Sequence, residues 1–130
     1  MSSGTRSPVR PTCLVVDDDP AVRRAIVREI SRVCAVSEAG GYLAALECIN
    51  RSAPAAVVSD RHLGEGPDGL RLLEETTRLA PRALRVLVTG GPIDASVEVG
   101  IRSGLIAWLI EKPWPSGAIA ASLRSALYPP

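Results

Sequence analysis

The sequence predicts a doubly wound α/β domain, in which helices cover both faces of a parallel sheet. Short apolar runs alternate along the chain with segments that have helical spacing. The runs are continuously apolar, which is typical of strands buried on both faces of a parallel sheet. The chain has 130 residues, of which 46% are hydrophobic, so it suits one compact domain with a substantial core. Right-handed crossovers would wind five strand-helix units into that domain.

Each strand is predicted from one apolar run. The runs are CLVV (13–16), AAVV (55–58), RVLV (85–88) and LIAWLI (105–110), with CAVSEA (34–39) as a weaker fifth candidate. Glycine and proline punctuate the pattern between the runs and the helical segments, at positions such as Gly40, Pro81 and Gly117.

Each helix is predicted from apolar residues that fall on one face. The stripes, in chain order, are Val22, Ala25, Ile26, Ile30 and Val33; Tyr42, Leu46 and Ile49; Leu70, Leu73 and Thr77; Ile93, Val97 and Ile101; and Ile119, Leu123, Ala126 and Leu127. Asp19 followed by Pro20 is the pattern of an N-cap and a first helical proline, so the first helix should begin there.

The two ends of the chain are predicted to lie outside the packed domain. Residues 1–11 are polar and rich in Ser, Pro and Arg, which favours a flexible tail before a domain at residues 12–128. Three residues follow Leu127, so we expect no output domain and a protein that acts through protein contacts.

Composition argues against several function classes. The net charge is +1, with acids and bases mixed along the chain, which gives no support for nucleic-acid or membrane binding. No apolar run approaches the roughly 20 residues of a membrane span. The three cysteines, Cys13, Cys34 and Cys48, form no CxxC pair, so we expect free thiols and a cytoplasmic protein.

Polar groups follow four of the predicted strands. They are Asp17-Asp18-Asp19, Ser59-Asp60, Thr89-Gly90-Gly91 and Glu111-Lys112-Pro113. Because the carboxyl ends of parallel strands meet at one edge of the sheet, these groups should lie together. Converging carboxylates need a cation, and hard oxygen ligands favour Mg²⁺.

The same edge could perform phosphoryl transfer. Asp60 could act as a nucleophile, since carboxylates form acyl-phosphates. The charge on the three phosphoryl oxygens would then be shared by the metal ion, the Thr89 hydroxyl and the Lys112 ammonium. Gly90 is small and would leave room for the incoming group.

The blocks VVDDDP, VVSD, VLVTG and EKPW resemble the signatures of response-regulator receiver domains, from about Cys13 to about Leu127. The resemblance implies a flavodoxin-like (βα)5 domain with a five-stranded parallel sheet in the order 2-1-3-4-5. It also implies that Asp60 is the phosphoacceptor, and that Thr89 and Lys112 complete the catalytic set.

The metal ligands implied by this resemblance are Asp17, Asp18, Asp60 and the backbone carbonyl of His62. Asp18 would be a direct ligand of Mg²⁺. Within the resemblance, Asp19 stays a helix cap.

The implied function is a phosphorylation-dependent signalling switch rather than an enzyme. Asp60 would receive a phosphoryl group from a histidine kinase or phosphotransfer protein, and Thr89 would swing toward it. The face formed by helix 4, strand 5 and helix 5 would then shift toward a downstream protein target, and a homodimer is possible. The switch region comprises Thr89, Gly90, Leu109, Lys112 and Pro113, with a cis bond before Pro113.

Three features depart from the family pattern. Leu109 stands where Tyr or Phe is usual, and Trp108 beside it should face the opposite way because adjacent strand residues alternate. The loop from Asp60 to Gly69 is about one residue longer than the common form. Trp114 stands where Phe is more usual, and it could be either packed or part of a partner surface.

Two other functions stay open from the residues. Asp17-x-Asp19 imitates the nucleophile motif of haloacid-dehalogenase-like phosphatases, although no acid follows Lys112 as that family requires. A receiver-like binding module that is never phosphorylated is the other.

Overall fold

The computed structural model describes residues 10–130, which form five alternating strand-helix units. The elements are β1 (Thr12–Val16), α1 (Pro20–Ile30), β2 (Ala35–Ala39), α2 (Tyr42–Arg51), β3 (Ala56–Asp60), α3 (Gly69–Leu79), β4 (Leu84–Thr89), α4 (Ala95–Arg102), β5 (Trp108–Glu111) and α5 (Ala118–Leu127). The strands pair in parallel in the order β2-β1-β3-β4-β5, which confirms the predicted fold class and sheet order.

The register of the sheet brings the strand ends level with one another. Val16 pairs with Ser59, Asp60 with Val88, and Thr89 with Glu111. Each polar group predicted at a strand end therefore leaves the sheet at the same edge, although the groups are far apart in sequence. This edge carries the candidate site.

Both faces of the sheet are buried, which explains the unbroken apolar runs. Cys13 and Val15 of β1 pack into a cluster with α1 and α5, whereas Leu14 and Val16 pack into a second cluster with α2 and α3. All four side chains are at most 1% exposed.

Aspartate side chains cap the N-termini of three of the helices. Asp19 accepts a hydrogen bond from the Ala21 N–H of α1 at 2.9 Å, as predicted from Asp-Pro. Asp68 and Asp94 cap α3 and α4 in the same way. Such caps satisfy amide groups that have no partner within the helix.

The start of β5 differs from the prediction. The run at 105–110 was expected to be one strand, but the strand begins at Trp108. Arg85 donates from Nε to the carbonyl of Leu105 at 2.8 Å and from Nη2 to that of Gly104 at 3.0 Å. These contacts hold the first residues of the run in the connection after α4, a long-range effect that apolar patterning does not reveal.

The buried helical faces also differ in part from the predicted stripes. In α3, Thr76 is buried and Thr77 is exposed. In α4, Val97 is buried, but Ile93 and Ile101 are 41% and 42% exposed. Ala126 of α5 is exposed as well. The α4 stripe was wrong because this short helix packs through Val97 and Gly100 alone.

The ends of the domain are held by specific contacts. Of the predicted tail, residues 1–9 lie outside the described residues, whereas the carbonyl of Pro11 accepts a hydrogen bond from Ala35 N–H. At the other end, the Tyr128 hydroxyl donates to the carbonyl of Val33 at 2.7 Å. No helix between residues 10 and 130 is long and apolar enough to cross a membrane.

Candidate functional site

Three carboxylates converge where β1 and β3 end. Asp17, Asp18 and Asp60 each present an oxygen, and these oxygens lie within 4.8 Å of one another. Asp17 is 1% exposed and Asp60 is 7% exposed, whereas Asp18 is open to solvent. Two buried acids and one exposed acid form a shallow cluster of negative charge, which oxygen-seeking cations would neutralise.

Asp17 shows most directly that the cluster fits a cation. Its Oδ1 accepts the Asp19 N–H at 2.9 Å, but its Oδ2 is buried without any hydrogen-bond partner. Burial raises the pKa of the Asp17 carboxyl, the hydrogen bond from Asp19 opposes the rise, and the negative charge of Asp60 adds to it. A buried carboxylate oxygen without a partner is costly. A hard cation such as Mg²⁺ would supply the missing partner.

Lys112 brings a positive charge to the same carboxylates. Its Nζ lies 2.9 Å from Asp60 Oδ1 and 3.8 Å from Asp17 Oδ2. Partial burial works against the ammonium form, but the hydrogen bond and charge of Asp60 outweigh it and raise the pKa of Lys112. Lys112 is the single lysine of the chain, and the bond to Pro113 is cis, as the resemblance implied.

Thr89 and Gly90 complete the edge from β4. Thr89 is 2% exposed, and its Oγ1 accepts the Gly91 N–H at 3.3 Å. A Cβ added at Gly90 would lie 3.5 Å from Lys112 Cδ, which is ordinary contact. Gly90 is exposed beside the lysine stem, so the site is open to an incoming group on this side.

The neighbouring predicted residues take different positions. His62 is exposed in the loop after β3. Leu109 is partly buried against the cluster on the α2 and α3 side, whereas Trp108 is 40% exposed. The predicted alternation between these two adjacent residues is therefore confirmed, and Trp108 does not occupy the place of the usual aromatic residue.

Gly69 lies against the backbone of Asp60, a contact that the sequence did not predict. A Cβ at Gly69 would lie 2.1 Å from the Asp60 carbonyl oxygen and 3.1 Å from Ser59 Oγ. Helix α3 therefore approaches the end of β3 so closely that a residue without a side chain is needed. The feature of the sequence that could have indicated this contact is the glycine directly after the capping residue Asp68.

Two charged residues of α1 also support the site without having been predicted to do so. Arg23 donates from Nη1 to the Asp17 carbonyl at 2.7 Å. Glu29 accepts from Trp114 Nε1 and from the Ala120 N–H, both at 2.9 Å. Trp114 is thus half-buried and bonded to α1, and Glu29 caps the beginning of α5.

Comparison with known proteins agrees with this arrangement. Residues 13–124 match the family described as response regulator receiver domain. The chain is 33% identical over 119 residues to the C4-dicarboxylate transport transcriptional regulatory protein DctD of Pseudomonas aeruginosa. That alignment covers 88% of this chain and 24% of the relative, so the chain spans about a quarter of its length.

Solved structures show the same fold. The signal receiver domain of an HD domain-containing protein from Pseudomonas fluorescens Pf-5 is 27% identical, with a TM-score of 0.83 and coverage of 95% and 90% of the two chains. A response regulator from Burkholderia pseudomallei, solved with a phosphorylated aspartic acid, calcium ion and citrate, is 25% identical. Its TM-score is 0.77, and the match covers 92% of this chain and 75% of that one. This chain, which matches the family over most of its length and shares its sheet order, belongs to the response regulator receiver domains.

Proposed function

We propose that this protein is a phosphorylation-dependent signalling switch in which Asp60 is the phosphoacceptor. The phosphoryl donor would be the phosphohistidine of a histidine kinase or of a phosphotransfer protein. An oxygen of the Asp60 carboxylate attacks phosphorus, the O–P bond forms as the P–N bond breaks, and the imidazole leaves with the electron pair of that bond. The protein is the recipient of the group and a signal carrier, not a classical enzyme.

The observation that carries this proposal is the pairing of Asp60 with Lys112 beside the unpartnered oxygen of Asp17. The Nζ–Oδ1 distance of 2.9 Å keeps the ammonium at the carboxylate that would carry the phosphoryl group. Phosphoryl transfer needs positioning and charge neutralisation rather than covalent chemistry from the protein. Lys112 would neutralise one phosphoryl oxygen, and the Thr89 hydroxyl would donate a hydrogen bond to another.

Asp17, Asp18, Asp60 and the carbonyl of His62 would hold a Mg²⁺ ion. When bound, Mg²⁺ neutralises charge on the carboxylates and on a phosphoryl oxygen. The buried Oδ2 of Asp17 has no partner, and the bond from the Asp19 N–H to Oδ1 holds this carboxylate in place at the buried side of the site. Asp18 is exposed, so the site is open to solvent on this side and an ion could enter there.

The phosphatase alternative is less well supported by the geometry. It requires Asp17 as nucleophile and Asp19 as its partner two residues on. The Asp19 side chain instead caps α1 through the Ala21 N–H, and Asp19 lies outside the cluster of three carboxylates. A binding module that is never phosphorylated is disfavoured because Asp60, Thr89 and Lys112 are all present at the edge.

The output surface is proposed to be the face of α4, β5 and α5. It exposes Val99, Ile101 and Trp108, which are 55%, 42% and 40% exposed. Exposed apolar side chains of this kind suit contact with a protein partner or a second copy of the chain. The compartment proposed is the cytoplasm, in keeping with the free thiols of Cys13, Cys34 and Cys48.

Incubation with acetyl phosphate and Mg²⁺ tests the proposal by intact-protein mass. The wild type should gain one phosphoryl group, and Asp60→Asn should gain none while remaining folded. Asp19→Asn is a matched control that makes the same change at a helix cap, and it should be labelled like the wild type. A folded, Mg²⁺-binding wild type without an adduct would count against the switch.

A further inference from the structure

Arg61, the residue directly after Asp60, joins the beginnings of two helices. Its Nε lies 3.1 Å from Asp68 Oδ2, and its Nη1 lies 3.2 Å from Asp94 Oδ2. Asp68 and Asp94 are the N-caps of α3 and α4. The Arg61 side chain is 13% exposed, whereas the side chains of Asp68 and Asp94 are 36% and 51% exposed, so solvent screens both pairs on the carboxylate side. One guanidinium thus ties α4 to the end of the strand that carries the phosphoacceptor.

The backbone of Arg61 is itself fixed. Its N–H donates to the Val88 carbonyl at 2.9 Å, and its carbonyl accepts the Gly69 N–H at 2.8 Å. These bonds attach Arg61 to β4 and to α3, on both sides of the site. The guanidinium therefore projects from a rigid base, and Asp94 is the one of its two partners that belongs to α4.

The segment 89–94 links the site to α4. Thr89 lies at its beginning, with Oγ1 accepting the Gly91 N–H, and Asp94 lies at its end, capping α4 through the Val97 N–H at 3.0 Å. A Thr89 hydroxyl that turned toward a phosphoryl group would give up the contact with Gly91. Because Arg61 holds Asp94, a movement of segment 89–94 that follows this change is opposed at the beginning of α4.

Leu109 makes this link more important in the present chain. It packs against the core and offers no hydroxyl group or ring that could follow Thr89. The path from the site to α4 therefore runs through residues 90–94 and ends at the pair held by Arg61.

We propose that the Arg61–Asp94 ion pair is a latch that holds the start of α4 against the conformational response to phosphorylation. This inference rests on the proposed function, since it concerns the response of that same site. Arg61 acts here as a positioning residue, through Asp94, and does not touch the phosphoryl group. Releasing the latch lowers the cost of moving segment 89–94 and so strengthens binding of a phosphoryl mimic at Asp60.

The test is a beryllofluoride titration in the presence of Mg²⁺, followed by the NMR signal of the Gly91 amide. Arg61→Gln should bind beryllofluoride about two- to fivefold more tightly, which corresponds to about 0.4–1 kcal/mol. Simple electrostatics predicts the opposite, because the variant removes a positive charge near an anion. The sign of the change therefore separates the latch from a general charge effect.

The chain offers a matched pair of variants at the two helix caps. Asp94→Asn keeps the cap but loses the ion pair, and it should also tighten beryllofluoride binding. Asp68→Asn makes the same chemical change at the other partner of Arg61 and should leave the affinity unchanged. Arg61→Lys, which retains the charge, should fall between Arg61→Gln and the wild type.

Three results would overturn the latch: weaker binding by Arg61→Gln, unchanged binding by Asp94→Asn, or equal effects of Asp68→Asn and Asp94→Asn. A wild type that takes up neither beryllofluoride nor phosphate would instead overturn the proposed function. In that case hydrogen exchange at the Val97 amide decides the latch separately. Exchange should be faster in Arg61→Gln and unchanged in Asp68→Asn, and equal rates in Arg61→Gln and the wild type would refute it.

Discussion

Asp17→Asn is expected to stabilise the metal-free protein and to abolish its stabilisation by Mg²⁺. The Asp17 Oδ2 is buried without a hydrogen-bond partner, whereas an asparagine amide at this position could donate to Asp60. The neutral side chain would also keep the bond from the Asp19 N–H to Oδ1. It would leave only two carboxylates, those of Asp18 and Asp60, for a metal ion at this edge.

The magnitude follows from three opposing effects. At an effective dielectric constant of about 20, the repulsion between Asp17 and Asp60, whose oxygens lie within 4.8 Å of each other, is at least about 3.5 kcal/mol. The attraction of Asp17 to Lys112 across 3.8 Å is about 4 kcal/mol on the same scale, so the two nearly cancel. The cost of the unpartnered buried oxygen remains, at about 1–3 kcal/mol. We expect the variant to gain about 1–2 kcal/mol, or about 3–8 °C in Tm.

The pH dependence has a definite sign. Burial raises the pKa of Asp17, so the folded protein binds this proton more tightly than the unfolded chain does. The contribution of Asp17 to wild-type stability should therefore fall as pH rises from the ordinary carboxyl value of 3.8 through the raised pKa. The advantage of Asp17→Asn should grow over the same range and be largest above it.

Urea unfolding in EDTA and in Mg²⁺ measures both parts of this prediction. Asp19→Asn is the matched control, because asparagine caps a helix about as well as aspartate. It should change the free energy of unfolding by less than about 0.5 kcal/mol and keep the Mg²⁺ effect. The reasoning is refuted if Asp17→Asn is less stable than the wild type in EDTA at neutral pH, or if Mg²⁺ stabilises both equally.

Three further predictions concern contacts around the site. Gly69→Ala should cost about 1–3 kcal/mol in urea unfolding and reduce labelling of Asp60, because its Cβ would lie 2.1 Å from the Asp60 carbonyl oxygen. Glu29→Ala should cost about 1–3 kcal/mol and shift the Trp114 indole N–H signal, because two partly buried donors lose their acceptor. Dimethylation of Lys112, which keeps its charge, should give one side-chain NMR signal that titrates above the ordinary 10.5. Asp60→Asn should lower this pKa. The stability that the Lys112–Asp60 pair contributes is lost as pH rises through the raised pKa.

The first two of these predictions have a matched control variant. Gly91→Ala places a Cβ in open space and should be nearly neutral for stability. Glu47→Ala removes an exposed glutamate of α2 and should leave the Trp114 signal in place. Neutral stability of Gly69→Ala, an unmoved indole signal in Glu29→Ala, or a Lys112 pKa indifferent to Asp60→Asn would contradict the corresponding contact.

The strands and the acidic edge could be predicted from local pattern. Unbroken apolar runs indicated a sheet buried on both faces, and parallel strand ends necessarily share an edge, so Asp17, Asp60 and Lys112 could be placed together. The cap at Asp19 was equally local, because Asp-Pro fixes a helix start through the side chain and the proline ring.

The contacts that join distant segments could not be predicted in this way. Arg85 binds carbonyls 19 and 20 residues further along, in the connection before β5, and Glu29 caps a helix 91 residues away. Arginine and glutamate at the polar positions of a helical or strand pattern carry no local sign of such partners. The buried face predicted for α4 was wrong for a related reason. Periodicity indicates which residues share one face of a helix, but it does not indicate how far other elements cover Ile101.

Reduction of the acyl-phosphate with borohydride tests the central claim most directly. The protein is first phosphorylated with acetyl phosphate and Mg²⁺, and borohydride then converts the phosphorylated aspartate into homoserine, which peptide mass spectrometry locates. The account predicts homoserine at position 60 and none at Asp17 or Asp18. Homoserine at position 17, or its absence from all three positions in protein that is folded and binds Mg²⁺, would contradict Asp60 as the phosphoacceptor.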